Sequence, residues 1–383
     1  MIKKPIYLDY NATTPVDPQV LEVMWPYFTE KYGNAASIQH MFGWEAEEGV
    51  DLASTEVADL IGAKSGEIIF TSGTTASINM FIEGVCSAQS ITESHIITCV
   101  TEHKAVLDCC DELEKKGATI TRLGVDSFGL IDLAELEEAI TDETRLIAIM
   151  HANNELGVLQ SIREIAAIGH KFNIPIFSDA TQSVGKIPMD VRELNVDAMA
   201  FSSHKLYGPK GVGALYINKK SNRMGAPMMA GGGHAGGFRS GTLNVPGIVG
   251  FGKACQLCQD QQEEETLRLG EFRAYLENEL GEIEGVTING KKAPRLAHVS
   301  NISFRNIDAS RLIRLLKGLA VSQGSACTSS VMEPSHVLKA IGLSDDLALG
   351  ALRISLGRFT TMDEVKEAVR AIKEAVEQLR SPA

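Results

Sequence analysis

Short β-branched and apolar runs alternate with helical stretches over the first two hundred or so positions. The runs lie at 68–71, 95–100, 146–151, 176–179, 198–202 and 213–217. Between them, apolar residues recurring at helical spacing predict helices over 18–32, 44–61, 75–87, 104–116, 133–140 and 162–172. The strand candidates are apolar nearly throughout, as in strands covered on both faces. Their order predicts an α/β fold, a mainly parallel sheet between two helical layers.

The pattern changes near residue 247. One long helix is predicted over 247–273, rich in Glu and Gln after Cys258. Strand candidates at 286–288, 299–304 and 351–355 follow, with helices over 310–319, 334–341 and 362–379, which describes a smaller α+β unit. No Pro/Ser-rich linker separates the two parts, so the domain boundary is expected near residue 260, on the long helix.

Composition narrows the class of protein. The 383 residues are 44% hydrophobic and 22% charged, which excludes collagen-like and disordered chains. No run of about 18 apolar residues predicts a membrane span, and residues 1–10 do not read as a signal peptide. The net charge of −13 argues against a broad nucleic-acid footprint. Seven cysteines, an odd number in a chain this long, fit reduced thiols in a cytosol better than a disulfide framework. Glycines, 35 in all, concentrate partly at 231–242 and in turns near Lys205 and Cys327.

In open α/β sheets ligands bind beyond the carboxyl ends of the strands. Polar groups follow five predicted strands there. Ser72-Gly-Thr-Thr75 between strand and helix makes either a phosphate cup or an ordinary helix cap. Asp179 ends an apolar strand, where a carboxylate needs a cation such as a pyridinium nitrogen, or else an ion pair or cap. Lys205, after Ser202, Ser203 and His204, is placed to form a Schiff base with an aldehyde, or is a surface lysine. His103 reads as a ring-stacking or proton-transferring imidazole, or as a structural one. Together these residues specify pyridoxal 5'-phosphate far better than any one alone. Cys327, in a loop of small polar residues, reads as a mobile nucleophile or as a solvent-tolerated spectator. Cys86, Cys99, Cys109 and Cys110 read as core, and Cys255 with Cys258 has redox or zinc spacing on a predicted helix without a second pair. Arg353, amid apolar neighbours, suits a substrate carboxylate or an ion pair.

The chain resembles the first, NifS/IscS-like, group of cysteine desulfurases, in the class V branch of fold-type I pyridoxal phosphate enzymes. The likeness runs nearly end to end through Tyr7-Leu-Asp-Tyr-Asn-Ala-Thr-Thr-Pro15, Thr101-Glu-His-Lys-Ala-Val106, His151-Ala-Asn-Asn-Glu155, Asp179-Ala-Thr-Gln-Ser-Val-Gly185, Ser203-His-Lys205, Arg239-Ser-Gly-Thr242, Gly324-Ser-Ala-Cys-Thr-Ser329 and Leu356-Gly-Arg-Phe359. It implies a large domain, 15–260, with a mainly parallel seven-stranded sheet, and a small α+β domain, 1–14 with 261–383, carrying Cys327. It implies Lys205 as the residue that holds pyridoxal phosphate, Asp179 at its ring nitrogen, Gln182 at its phenolic oxygen and His103 stacked on the ring and moving protons. Thr74, Thr75, Ser202 and His204 would hold the phosphate, with Thr242 reaching it from the other subunit of a homodimer. Asn154 and Arg353 would grip the carboxylate of L-cysteine. Cys327 would take the sulfur as a persulfide, leaving alanine, and pass it to an acceptor protein in the cytoplasm. No resident metal is implied, although the resemblance allows Cys327 to ligate an iron–sulfur cluster transiently with a partner. The chain departs from the family pattern at Ala35, Ala76, Ile78 and 234–238, and it ends at Ala383 without the tail that docks the iron–sulfur scaffold in housekeeping members. The acceptor is therefore left open between iron–sulfur assembly, tRNA thiolation and DNA phosphorothioation. The alternatives are a selenocysteine lyase or aminotransferase of the same branch, or a binding platform without turnover.

Overall fold

The computed structural model describes residues 4–88, 90–219, 231, 239–323 and 333–381. Twelve strands are present among the described residues: β1 (Ile6–Tyr7), β2 (Ile68–Thr71), β3 (His95–Cys99), β4 (Thr119–Leu123), β5 (Thr144–Ala148), β6 (Ile176–Asp179), β7 (Ala198–Ser202), β8 (Gly213–Ile217), β9 (Val286–Ile288), β10 (Val299–Phe304), β11 (Leu319–Ala320) and β12 (Ala351–Ser355). Seven of them form one sheet in the order β2-β8-β7-β6-β5-β3-β4. Only β8 runs against its neighbours, because a ten-residue connection from β7 is too short for a helical crossover. The parallel strands β3, β5, β6 and β7 therefore end on one edge.

Apolar side chains fill both faces of this sheet. Ile97, Ile147, Ile176, Met199 and Phe201 pack on one face against the helices Met41–Leu60 and Ile162–Lys171. Ile96, Leu146, Phe177 and Leu215 pack on the other against Thr74–Ser87 and Lys104–Lys115, where Phe81 stacks on Phe177 at 5.4 Å. This two-sided burial is why the strands read as continuous apolar runs.

Three differences from the expected elements have physical causes. β4 escaped the reading: it is the sheet edge, half-exposed, and its Thr-Ile-Thr-Arg-Leu has no apolar run. The strand expected at 146–151 starts at Thr144, and residues 149–151 still bond to β6, Ile149 N–H to Phe177 O at 3.1 Å and His151 N–H to Asp179 O at 2.9 Å. The helix expected over 18–32 is two, Pro18–Met24 and Pro26–Thr29, divided where Pro26 interrupts the backbone ladder.

The long helix runs from Val245 to Gly281, 37 residues, capped by the Asn244 side chain on Gly247 N–H at 3.2 Å. Its first half gives Ile248, Phe251 and Cys255 to the large-sheet core. Its second half gives Leu269, Phe272, Leu276 and Leu280 to a separate core, under the sheet β12-β10-β9 and the helix Met362–Arg380. β1 pairs with β11, and Leu8 is buried in that second core.

Candidate active site

The carboxyl ends of β6 and β7 deliver Asp179, Ser202 and, on the following turn of 3-10 helix, Lys205 into one cavity of about 810 Å³. Thr74, Thr75, His103, Asn154, Gln182, His204 and Arg353 line the same cavity. Of the residues expected at the site, Thr242 is exposed and does not line it, and Cys327 lies outside the described residues.

Lys205 is held by the chain's N-terminal segment. Its Nζ donates to the carbonyls of Asn11 at 2.5 Å and Ala12 at 2.7 Å. Burial pushes its pKa down to about 8, and the Arg353 charge pushes the same way. At pH 7 about one lysine in ten is then the neutral amine, against roughly one in several thousand for an ordinary lysine.

Asp179 is buried, and its Oδ1 takes both the hydroxyl (2.5 Å) and the N–H (2.9 Å) of Thr181. With its proton on Asp179, Thr181 Oγ1 accepts from the Thr74 hydroxyl at 2.8 Å, which ties the aspartate to the start of the helix Thr74–Ser87. Asp179 Oδ2 makes no hydrogen bond among the described residues and is free for a cation.

The helix Thr74–Ser87 begins at Gly73 with no side-chain cap. Gly73 has φ +146°, a conformation other residues rarely adopt, and a Cβ on Gly213 would stand 2.7 Å from its Cα. Two glycines thus bring two backbones together under an uncapped helix start, a cradle for an anion. Ser202 beside it is buried, and His204 bonds Thr13 Oγ1 through Nδ1 at 3.1 Å. Desolvation, reinforced by Lys205 and Lys210, pushes His204 down to about 4, so the neutral ring offers a hydrogen bond rather than a charge.

Arg353, on β12, is buried and crosses from the second core into the cavity. Nη2 donates to Asp9 Oδ1 at 2.6 Å and Nη1 to the Asn154 carbonyl at 3.1 Å. Its Nε is buried with no partner. A buried guanidinium N–H left open is costly unless a ligand oxygen meets it.

Sequence reasoning passed over several residues here. Asn11 is the hub of the site. Its carbonyl accepts from Lys205 and from Gln182 Nε2 (3.0 Å), its amide donates to the Asn154 carbonyl (3.0 Å), and its Oδ1 bonds His298 Nε2 (3.0 Å). Its place in the motif Tyr7–Pro15 was the available signal, but nothing local ties residue 11 to residue 205. Glu102 is buried, with Oε1 accepting Met150 N–H at 2.6 Å and Oε2 lacking a partner. Desolvation pushes its pKa well up, against the Met150 N–H bond that lowers it, and the Asp179 charge adds to the rise. His336 and Glu155 also line the cavity, and Glu155 Oε2 accepts the Ser335 hydroxyl at 2.6 Å.

The six described cysteines are all buried and unpaired. Burial pushes Cys86 and Cys99 up to about 11 and Cys109 up to about 12. Cys255 and Cys258 lie on the long helix and their thiols are raised too, by burial, so their spacing marks packing rather than redox chemistry. Among the described residues no cluster of His, Cys, Asp or Glu could hold a metal ion.

A lysine of lowered pKa, a buried aspartate with a free oxygen and an uncapped helix start around one cavity define a pyridoxal phosphate enzyme. Residues 6–368 match the aminotransferase class-V family. The chain is 49% identical over 380 residues to the cysteine desulfurase IscS of Anaeromyxobacter dehalogenans (strain 2CP-C), covering 99% of this chain and 94% of that protein. Among solved structures, a NifS-like protein superposes with a TM-score of 0.91 at 38% identity, covering 98% of this chain and 100% of that one. A structure described as SspA in complex with cysteine superposes with a TM-score of 0.81 at 36% identity, covering 93% and 100%. The chain belongs to the class-V aminotransferase family, within its cysteine desulfurase branch.

Proposed function

We propose that this protein is an L-cysteine desulfurase that releases L-alanine, carries the sulfur as a persulfide on Cys327 and hands it to an acceptor protein. The observation that carries the reading is Lys205, buried and lowered to about 8, in the cavity that Asp179 and Arg353 also line. Cysteine is the molecule named in the SspA structure. Bound pyridoxal phosphate supplies an electron sink that weakens bonds at the substrate's α and β carbons.

The chain's residues divide the remaining work. Lys205 offers the neutral amine that joins the aldehyde. Asp179, with its free Oδ2, would hold the proton of the ring nitrogen, Gln182 would bond the phenolic oxygen, and His103 would lie against the ring, all three lining the cavity. Thr74, Thr75, Ser202 and His204, with the uncapped N–H groups of the helix start, hold the phosphate. Arg353 and Asn154 orient the substrate carboxylate, and Cys327 attacks the sulfur. Incubating the purified protein with pyridoxal phosphate and L-cysteine should give equal amounts of alanine and transferable sulfur. 3-Mercaptopyruvate, with the amino group passed to an oxo-acid acceptor, in their place would overturn the reading in favour of aminotransfer.

Arg353→Lys keeps the charge but loses the fork. Losing one charged hydrogen bond costs about 1.5–3 kcal/mol, so KM for cysteine should rise roughly 10- to 150-fold with kcat less affected. Steady-state kinetics would show it, and an unchanged KM would remove Arg353 from the carboxylate site.

The homodimer is supported by an exposed apolar surface. Trp25, Phe28, Tyr32, Ile38, Met41 and Trp44 are all exposed, and Tyr32 packs on Phe42 at 5.4 Å while Trp44 Nε1 donates to Ile38 O at 2.9 Å. Such a patch on a soluble surface marks an interface. Thr242, exposed and away from this chain's cavity, belongs to the partner's phosphate site in this reading. The double variant Phe28→Asp, Trp44→Asp should run as a monomer in light scattering. A dimer of unchanged stability would place the interface elsewhere.

Residues 15–260 make the cofactor domain in this reading, and 1–14 with 261–383 the second. The cytosol is the compartment that suits six buried free thiols. Among the described residues no helix is long and apolar enough to cross a membrane. The acceptor serves iron–sulfur assembly, tRNA thiolation or DNA phosphorothioation, and persulfide-trapping pull-down from the cells of origin would identify it. With a net charge of −13, the sulfur reaches any nucleic acid through a partner rather than by direct binding.

A further inference from the structure

An α-amino acid arrives at neutral pH as a zwitterion, and the roles given so far provide a partner only for its carboxylate. The ammonium needs one too. A single carbon separates it from the carboxylate, so it comes to rest close to the Arg353 guanidinium. Lys104 and Lys210 line the same cavity. An ammonium set among these cations without an anion would be repelled.

Three carboxyl groups line the cavity: Asp9, Glu155 and Asp179. Glu155 is buried, its Oε2 accepts the Ser335 hydroxyl at 2.6 Å, and burial raises its pKa. Asp179 has one oxygen on Thr181 and the other reserved for the ring nitrogen. Asp9 is left. Its Oδ1 accepts from Arg353 Nη2 at 2.6 Å, and its Oδ2 makes no hydrogen bond among the described residues. The Asp9 side chain is 21% exposed against 5% for Arg353, so the carboxylate is the member of the pair that reaches open space. After burial, which dominates, the Arg353 charge lowers the pKa of Lys205 and the Asp9 charge raises it, so both stand near its amine.

The backbone fixes this pair. Asp9 bridges Ser355 of β12, with Ser355 N–H bonded to Leu8 O at 2.8 Å and Tyr10 N–H to Ser355 O at 3.3 Å. The Tyr7 hydroxyl holds the Asp9 carbonyl at 3.0 Å. Arg353 stands two residues before Ser355, so the two project from the same face of β12. A segment from the start of the chain is thereby stitched beside the strand that carries the guanidinium.

We propose that Asp9 Oδ2 receives the α-ammonium of the incoming substrate while Arg353 takes its carboxylate. This rests on the reading above, in which the substrate is L-cysteine and Arg353 orients its carboxylate. Side by side, the two charges are the complement of an amino acid zwitterion, and the pair need not open to bind one. A guanidinium has five N–H donors, of which Arg353 spends one on Asp9 and one on the Asn154 carbonyl. Asp9 keeps one oxygen free in the same way. The ligand class that fits is an α-amino acid with a free amino group. A carboxylic acid without one gains nothing from Asp9.

Asp9→Asn keeps an oxygen that accepts from Arg353 and puts an amide NH2 where the ammonium would lie. The test compares wild-type and variant holoenzyme in two constants: KM for L-cysteine, and competitive inhibition by 3-mercaptopropionate, the same molecule without its amino group. A charged hydrogen bond is worth roughly 10- to 150-fold in affinity, so KM should rise at least about tenfold. The inhibition constant should stay the same or fall, because a negative charge has left the neighbourhood of a carboxylate site. Binding of 3-mercaptopropionate also shows that the variant's site is intact. Asp9→Glu, which keeps the charge, should bind the inhibitor as wild type does and recover part of the affinity for cysteine. A residue that only held Arg353 in place would weaken both ligands together. That parallel loss, or an unchanged KM for cysteine, overturns the proposal. Arg353→Lys run alongside separates the two readings. If it leaves both constants unchanged, the carboxylate site of the reading above fails; if it weakens both while Asp9→Asn weakens both or neither, only the role of Asp9 fails.

Discussion

Lys205→Ala should all but stop desulfuration and should remove the absorbance that pyridoxal phosphate acquires when joined to the protein. The expected loss in kcat/KM is on the order of 10³-fold, within the range that one positioned acid–base or nucleophilic group supplies. The geometry makes the lysine hard to replace. Two carbonyls, of Asn11 and Ala12, hold its Nζ, and burial with the Arg353 charge lowers its pKa to about 8. Lys205→Arg restores a donor to those carbonyls but stays protonated at every accessible pH, so it should fold without recovering activity. The lowered pKa also fixes a sign. The neutral amine reacts, and its fraction grows as pH rises. Capture of pyridoxal phosphate by cofactor-free wild-type protein should therefore quicken about tenfold per pH unit below 8 and level off above it, whereas an ordinary lysine would go on quickening to about 10.4. Stopped-flow absorbance measures this, and a rate still climbing at pH 9.5 would show that the lysine is not perturbed.

Cys327→Ala should leave cofactor binding intact and remove the persulfide. Alanine formation should fall at least about 100-fold, and mass spectrometry after exposure to cysteine should find no added sulfur on the chain. The other six thiols offer no substitute, because they are buried in the cores and burial raises every one of them. A variant that releases sulfur from cysteine at the wild-type rate would remove Cys327 from the chemistry.

Most of the large sheet was legible because its strands are covered on both faces, and a doubly covered strand must be apolar along its whole length. β4 was not, since an edge strand with one partner has no such requirement. The break at Pro26 was present in the sequence, yet apolar spacing runs on through it and hides the interruption. At the site, Lys205, Asp179 and Thr75 were legible because each follows an apolar strand. Asn11 was not, because it acts through a partner far along the chain, residue 205.

The chemistry available to this protein was set by residue types in order along the chain. A lysine, an aspartate, a Gly-Thr-Thr turn and a thiol follow elements whose hydrophobic period alone places them on a parallel sheet, and that order specifies the cofactor. What each group does once there was decided by packing. Burial, with help from the Arg353 charge, lowers Lys205, and an uncapped helix start opens the anion cradle. Those effects come from desolvation and from backbone groups distant in sequence, which no local pattern of residues encodes.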